Sequence, residues 1–97
     1  VSKYKAKKTL YNGVWYGSRK EAQRAWELDM LLFAGEISDL RRQVPFQLSV
    51  CKYVADFVYK NKDGNEVVED CKGYRTDIYR LKKKMMKHEL GIDIYET

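Results

Sequence analysis

The sequence predicts a small α/β domain: a mixed β-sheet flanked by two helices, with a β-hairpin at its N-terminal end. Three observations carry this. Two amphipathic stretches, each closed by a glycine, read as helices near 18–35 and 77–91. Between them lie three runs rich in valine, phenylalanine and tyrosine. The 97 residues suffice for one core, burying roughly 60% of the unfolded surface, and are expected to form a single domain over 1–97.

The elements follow in order. Tyr11-Asn12-Gly13-Val14 is a tight-turn signature, with Leu10, Val14 and Tyr16 in short arms, so a hairpin is expected over 9–17 and the core of the domain over 18–97. Ser18 with Glu21 three positions on is a capping box that starts the first helix. Its apolar face is expected to run through Ala22, Ala25, Trp26, Leu32 and Phe33, with Leu28 beside it, and Gly35 stops it. Val44, Phe46, Leu48 and Val50 alternate as a strand with one buried face, and Pro45 places its start at a sheet edge or strand end. Tyr53 to Tyr59 is the next strand, Asn61 to Asn65 a turn, and Val67 to Lys72 a third strand. Asp77 to Leu90 reads as the second helix, lined by Ile78, Leu81 and Met85 with Met86 and Leu90 adjacent. Gly91 ends it, and Ile92 to Tyr95 is a last short strand. The middle strands are expected to be antiparallel, and the last to return parallel to the third through a right-handed crossover.

Composition narrows the function. No apolar run approaches 18 residues, and the opening VSKYKAKK lacks the apolar stretch of a signal peptide, so a cytoplasmic protein without a membrane partner is expected. Cys51 and Cys71 lack metal-ligand spacing and have only His88 to join them; both read as reduced core residues. The net charge of +5 is unevenly placed. Lys3, Lys5, Lys7 and Lys8 open the chain without an acid, and Arg80, Lys82, Lys83, Lys84 and Lys87 crowd a later stretch. Basic blocks flanking an acidic middle suit a protein that grips a polyanion, although a lysine run is more often a solvated helix face.

The acids of VVEDCKGYRT raise the sharper question. Val68, Asp70 and Lys72 share one strand face by the period of two. A loop of Lys62, Asp63 and Gly64, with glycine in its left-handed last position, sets a register in which Asp56 faces Asp70; a two-residue turn at Asp63-Gly64 would instead set Asp56 against Cys71. The three-residue loop is preferred. Two carboxylates about 4–5 Å apart repel by several kcal/mol at an effective dielectric near 20. Either one holds a proton or a cation lies between them, and oxygen ligands without a nearby histidine favour Mg²⁺ or Mn²⁺. Lys72 can pair with a carboxylate or orient a water. Glu21, in its capping position, can also point into a cleft. Asp29 is a weaker alternative, and Glu36 and Asp39 read as surface.

Glu21, Asp56 and Asp70-Cys71-Lys72 resemble the pattern of the PD-(D/E)xK nuclease superfamily: an acid in an early helix, an acid on one strand, and acid-x-Lys on the next. More closely, YNGVWYGSRKEA, GEISDLRRQVPFQL, YVADFVY, VVEDCKGYRT and YRLKKK, in order over residues 3 to 95, resemble a family of small phage-encoded proteins of that superfamily, similar to Holliday-junction resolvases. The resemblance implies a restriction-endonuclease-like sheet, a cytoplasmic location in the bacterial host, and a metal-dependent endodeoxyribonuclease that leaves a 5′-phosphate, with no small-molecule substrate. It implies that Asp56 and Asp70 hold Mg²⁺ or Mn²⁺, with Glu21 and the Cys71 backbone carbonyl as further ligands, and that Lys72 positions the attacking water. Ala55 stands where the superfamily pattern has proline, and Asp70 is shorter than the common glutamate. Glu69 points to the opposite strand face and is not counted; the Cys71 side chain shares that face and reads as a small buried apolar residue.

Phosphate contacts are then expected from Lys7, Lys8, Arg41, Arg42, Thr76, Lys82, Lys83 and Lys84, with Gln43 and Tyr79 lining the cleft. Tyr4, Tyr11, Trp15 and Tyr16 are candidates to stack on bases, with packing beneath the N-terminal lysines as the competing role. Resolving a junction takes two coordinated cuts, so a homodimer is expected. The alternatives are a sequence-preferring nickase, a subunit of a larger phage recombination assembly, and a DNA-binding module whose acids bind no metal.

Overall fold

The computed structural model describes residues 7–97. The expected contributions of Lys3, Tyr4 and Lys5 lie outside them. A two-stranded antiparallel hairpin, β1 (Thr9–Tyr11) and β2 (Val14–Tyr16), precedes helix α1 (Arg19–Phe33). Strands β3 (Ser38–Gln47), β4 (Lys52–Lys60) and β5 (Glu66–Asp70) follow, then helix α2 (Asp77–Leu90) and the short β6 (Tyr95–Glu96). The second sheet has the order β3-β4-β5-β6. Its first two pairings are antiparallel and β5–β6 is parallel. The predicted mixed sheet with two helices and a leading hairpin is therefore the observed architecture.

Local chemistry sets the turns. Asn12 and Gly13 both take positive φ, 50° and 78°, as a two-residue hairpin turn of matching twist requires. Gly64 has φ 82°, and the Asn61 N–H donates to the Asn65 carbonyl at 2.9 Å, which is the three-residue loop. The Ser18 hydroxyl accepts from the Glu21 N–H at 3.1 Å and starts α1. The Thr76 hydroxyl accepts from the Tyr79 N–H at 3.0 Å and starts α2. Pro45 lies on β3, the edge strand, where its missing N–H costs no ladder bond.

Several boundaries and faces differ from expectation. β3 begins at Ser38 rather than Val44, because a bulge between Ser38 and Arg41 lets Arg41 and Arg42 join the ladder. It ends at Gln47, and Val50 is exposed in the turn closed by the Leu48 N–H on the Cys51 carbonyl. β5 stops at Asp70, two residues early. β6 begins only at Tyr95, since Ile92 and Ile94 pack into the core instead of extending the ladder. On α1 the buried stripe is Ala22, Ala25 and Leu28, leaving Trp26, Leu32 and Phe33 exposed. The small alanines admit the helix close to the sheet, which turns the larger residues outward. On α2 the inward residues are Tyr79 and Met86, with Met85 half-buried, while Ile78, Leu81 and Leu90 face out. Neither helix meets the length and apolarity needed to cross a membrane.

Two cores result. One, beneath α1 and the hairpin, gathers Tyr16, Ala22, Leu28, Ile37, Phe57 and Tyr59. The other, beneath α2, gathers Leu48, Tyr53, Ala55, Val58, Val68 and Met86. Cys51 packs half-buried against the α2 core, Cys71 is also half-buried, and both thiols are free.

Candidate functional site

The two cores meet at one place on the β3–β4 pair. Leu40 packs against the α1 core, while Val44 and Phe46 pack against the α2 core. Across the ladder, Phe57 and Tyr59 belong to the first core, Tyr53 and Ala55 to the second. The side-chain alternation therefore passes from one core to the other between Arg42–Phe57 and Val44–Ala55. Gln43 and Asp56 lie at that step, and Gln43 has φ 51°, a left-handed conformation uncommon for a residue with a side chain.

The β4–β5 register brings the acids together. Phe57 pairs with Glu69, so the next position sets Asp56 against Asp70 at the end of the ladder. There the Asp56 carboxylate takes over from the backbone, accepting from the Cys71 N–H at 2.9 Å. Asp70 is buried; its Oδ2 accepts from the Tyr53 hydroxyl at 2.6 Å and lies 3.3 Å from Lys72 Nζ. Glu21 enters from the first turn of α1. The Gln43 amide spans the two carboxylates, 3.5 Å from Glu21 Oε2 and 3.4 Å from Asp56 Oδ1. The Lys72 ammonium also sits over the Tyr79 ring, 4.1 Å from its centroid. The sequence-predicted set of Glu21, Asp56, Asp70 and Lys72 is thus contiguous, with Gln43 between two of its acids and Tyr79 as a wall.

Electrostatics follow from this crowding. Burial, and then the neighbouring Asp56 carboxylate, push the Asp70 carboxyl up to about 7, against the pull of the Tyr53 hydroxyl and the Lys72 ammonium. Burial and then Asp56 also raise Glu21, opposed by Arg42, the Gly17 backbone N–H and Lys72. The Gly17 contact modifies the expected capping box, in which this carboxylate would bond the cap residue itself. Tyr53→Phe removes the donor that favours ionised Asp70. Its expected result is a further rise of the Asp70 pKa by about 1–2, since a hydrogen bond to a charged group contributes about 1.5–3 kcal/mol. Carboxyl-carbon NMR titration of Asp70 reads it directly, and an unchanged midpoint would remove Tyr53 from this role.

Among the described residues, no group of three or more His, Cys, Asp or Glu is arranged to hold a metal ion. The Gln43 amide occupies the space between Glu21 and Asp56. The donor chemistry nevertheless suits a hard divalent cation: two adjoining carboxylates, a third across an amide, no imidazole, and a raised proton affinity that a cation would relieve. The flanking Asp70 carbonyl already accepts from the Thr97 N–H and the Lys72 carbonyl from Lys20 Nζ, both of which steady the turn that carries Cys71.

The predicted phosphate contacts are scattered. Lys7 and Lys8 are exposed ahead of the hairpin. Arg41 is held by Glu66 and Asp39. Arg42 is half-buried and stacks over the Tyr16 ring at 4.3 Å, its buried Nε without a hydrogen-bond partner, so its stem is committed to packing beside Glu21. Thr76 has its hydroxyl engaged as the α2 cap. The run Lys82 to Lys84 divides: Lys83 and Lys84 line a groove with β6, and Lys82 does not. Tyr16 is buried and Tyr11 donates to Asp29 Oδ2 at 2.7 Å, which engages the weaker acidic alternative; Trp15 stays exposed.

Three contributors escaped the sequence reading. Tyr53 looked like an ordinary strand aromatic. Glu69 is wholly buried and meets Arg24 of α1, a pairing that the rule against lone buried charges could have suggested. Glu96 gathers Arg75, Tyr79 and Lys83, and no local pattern signals it.

Comparison with known proteins gives one match. A family described as "Protein of unknown function (DUF1064)" matches residues 1–95, and the chain belongs to it. No curated protein and no solved structure matches the chain.

Proposed function

We propose that the protein is a metal-dependent endodeoxyribonuclease of the PD-(D/E)xK type, acting on branched or recombining phage DNA, with Mg²⁺ or Mn²⁺ as cofactor. The observation that carries this reading is the meeting of Asp56 with Asp70 at the end of the β4–β5 ladder, with Lys72 at 3.3 Å from Asp70. Stability alone does not favour a buried acid beside a half-buried one.

In this reading Asp56 and Asp70, with the Cys71 carbonyl and Glu21, hold the cation. When bound, it acidifies the attacking water and neutralises charge on the phosphate. The chain's own groups do the rest. Lys72, fixed between Asp70 and the Tyr79 ring, directs its unspent N–H donors at a phosphate oxygen and at the water. Glu21, in the first turn of α1, would meet the cation directly or through a water, and the proton that the attacking water loses goes to solvent. The water oxygen bonds to phosphorus, the bond from phosphorus to the 3′ oxygen breaks, that oxygen takes up a proton from solvent, and a 5′-phosphate results. Gln43 must release Glu21 or Asp56 for all three acids to serve.

The test is a labelled four-way junction beside a matched linear duplex, incubated with Mg²⁺, Mn²⁺ or EDTA. Metal-dependent paired cuts on the junction, and little on the duplex, are expected. Paired cuts also require a second copy of the chain. The second reading is a DNA-binding module that does not cut, favoured by the absence of a three-ligand metal group among the described residues. Salt-sensitive binding with no cutting under either metal would select it.

A further inference from the structure

The groove between α2 and β6 lies outside the acid cluster, and its charge is largely uncompensated. It encloses about 450 Å³. Arg80, Lys83, Lys84 and Lys87 share one face of α2 at helical spacing, and Arg75 joins them from the preceding turn. These five cations face two carboxylates, Asp93 and Glu96, which leaves three positive charges.

An oxyanion already sits at one end of the groove. Glu96 Oε1 takes Arg75 Nε at 2.8 Å and Nη2 at 2.7 Å, and its Oε2 takes the Tyr79 hydroxyl at 2.7 Å and Lys83 Nζ at 3.1 Å. Asp93 accounts for Lys87 at 2.9 Å. Arg80 and Lys84 have no acidic partner among the described residues. From position 80 to position 87 the helix rises about 10 Å. A DNA strand carries one phosphate per nucleotide, and the row is long enough to meet more than one of them.

Tyr79 joins this groove to the acids. Its ring carries Lys72, and its hydroxyl reaches Glu96. The groove therefore adjoins the acid cluster.

We infer that the α2–β6 groove is a second subsite, which takes backbone phosphates of the bound DNA beyond the position at which the acids act. Arg80 and Lys84 contact phosphate, and Glu96 is a positioning residue that holds Arg75 and Lys83 toward the groove. This rests on the nuclease reading for its substrate, but not for its test.

The test measures binding of a 20-base-pair duplex in EDTA across a salt series. Arg80→Ala with Lys84→Ala is compared with the unaltered protein and with Lys52→Ala plus Lys60→Ala, an exposed pair of equal charge away from the groove. The groove pair is expected to lose about tenfold or more in affinity and to flatten the slope of log affinity against log salt by about 2, while the control pair stays near the unaltered protein. Unchanged affinity and slope in the groove variant, or equal losses in the control, would overturn the inference. Inorganic phosphate that binds at micromolar concentration and fails to compete with duplex would overturn it as well. Cutting by the unaltered protein with Mg²⁺ separately judges the nuclease reading, so the two fail independently.

Discussion

Asp70→Asn is expected to lower metal-dependent cleavage by about 10³-fold or more while making the metal-free protein more stable at pH 8. The first effect follows from losing a charged ligand. The cation supplies several kcal/mol of transition-state stabilisation, and each 1.36 kcal/mol is about tenfold in rate. The second follows from the raised pKa. Asp70 holds its proton up to about pH 7 in the folded protein and releases it near the ordinary carboxylate range when unfolded. Between those values the folded state binds the extra proton, so stability falls as pH rises through that window. The asparagine mimics the protonated acid: its carbonyl accepts from Tyr53 and its amide can donate to Asp56, and it does not titrate. At pH 4 or below the two proteins should be nearly equal; at pH 8 the variant should lead by about 1–3 kcal/mol. Added Mg²⁺ stabilises only the form that binds it, so the lead should shrink with metal. Thermal unfolding at pH 4 and pH 8, with and without Mg²⁺, reads all of this. A variant less stable than the parent at pH 8 in EDTA would mean that Asp70 is a structural carboxylate, and the metal reading would lose its main support.

How much of this arrangement was legible depends on how local its causes are. The Asp56–Asp70 register was legible because Gly64 supplies a left-handed position that only one loop length uses well. Glu21 was legible because the Ser18 cap fixes where α1 starts. The rotation of α2 was not. Ile78, Leu81 and Met85 form as good a stripe as the one observed, and the choice was made by the sheet beneath. Lys72, just past the end of β5, takes the face of the Tyr79 ring, and Glu96 of β6 takes its hydroxyl; an isoleucine would serve neither. The passage of β3 and β4 from one core to the other at Gln43 also left no trace in the alternation, because residues 40, 42, 44, 46 and 48 keep one parity throughout. Val58 lies in the α2 core while its neighbours Phe57 and Tyr59 lie in the α1 core, so the two faces exchange at this step, and a period of two read along the sequence runs straight through it. Glu96 was missed for the same reason, since its three partners lie 13 to 21 residues away in sequence.

The largest stability effect is expected from Arg24→Ala, and it concerns the acid that the site does not use. Glu69 is the immediate neighbour of Asp70 and points to the other sheet face, where it is wholly buried. Its Oε2 accepts from Arg24 Nε at 2.6 Å and from the Thr97 hydroxyl at 3.0 Å, and its Oε1 from Arg24 Nη2 at 3.1 Å and the Tyr59 hydroxyl at 2.6 Å. The two-pronged guanidinium contact ties α1 to β5, and so ties Glu21 to the strand that carries Asp70. Removing the arginine strands a buried carboxylate, which costs about 3–5 kcal/mol. A domain of this size commonly has about 5–15 kcal/mol in total, so a large fraction of the stability goes with one side chain. Urea unfolding should show the midpoint falling with little change in slope. The cause can be separated from lost packing by Arg24→Leu combined with Glu69→Gln. That pair keeps the volume, removes both charges, and leaves an amide that Tyr59 and Thr97 can still bond. It should recover most of the loss. If instead the double variant is as unstable as Arg24→Ala, the arginine acts through its packing or through Glu27, which it also bonds at 3.1 Å, and the stranded charge is not the cause.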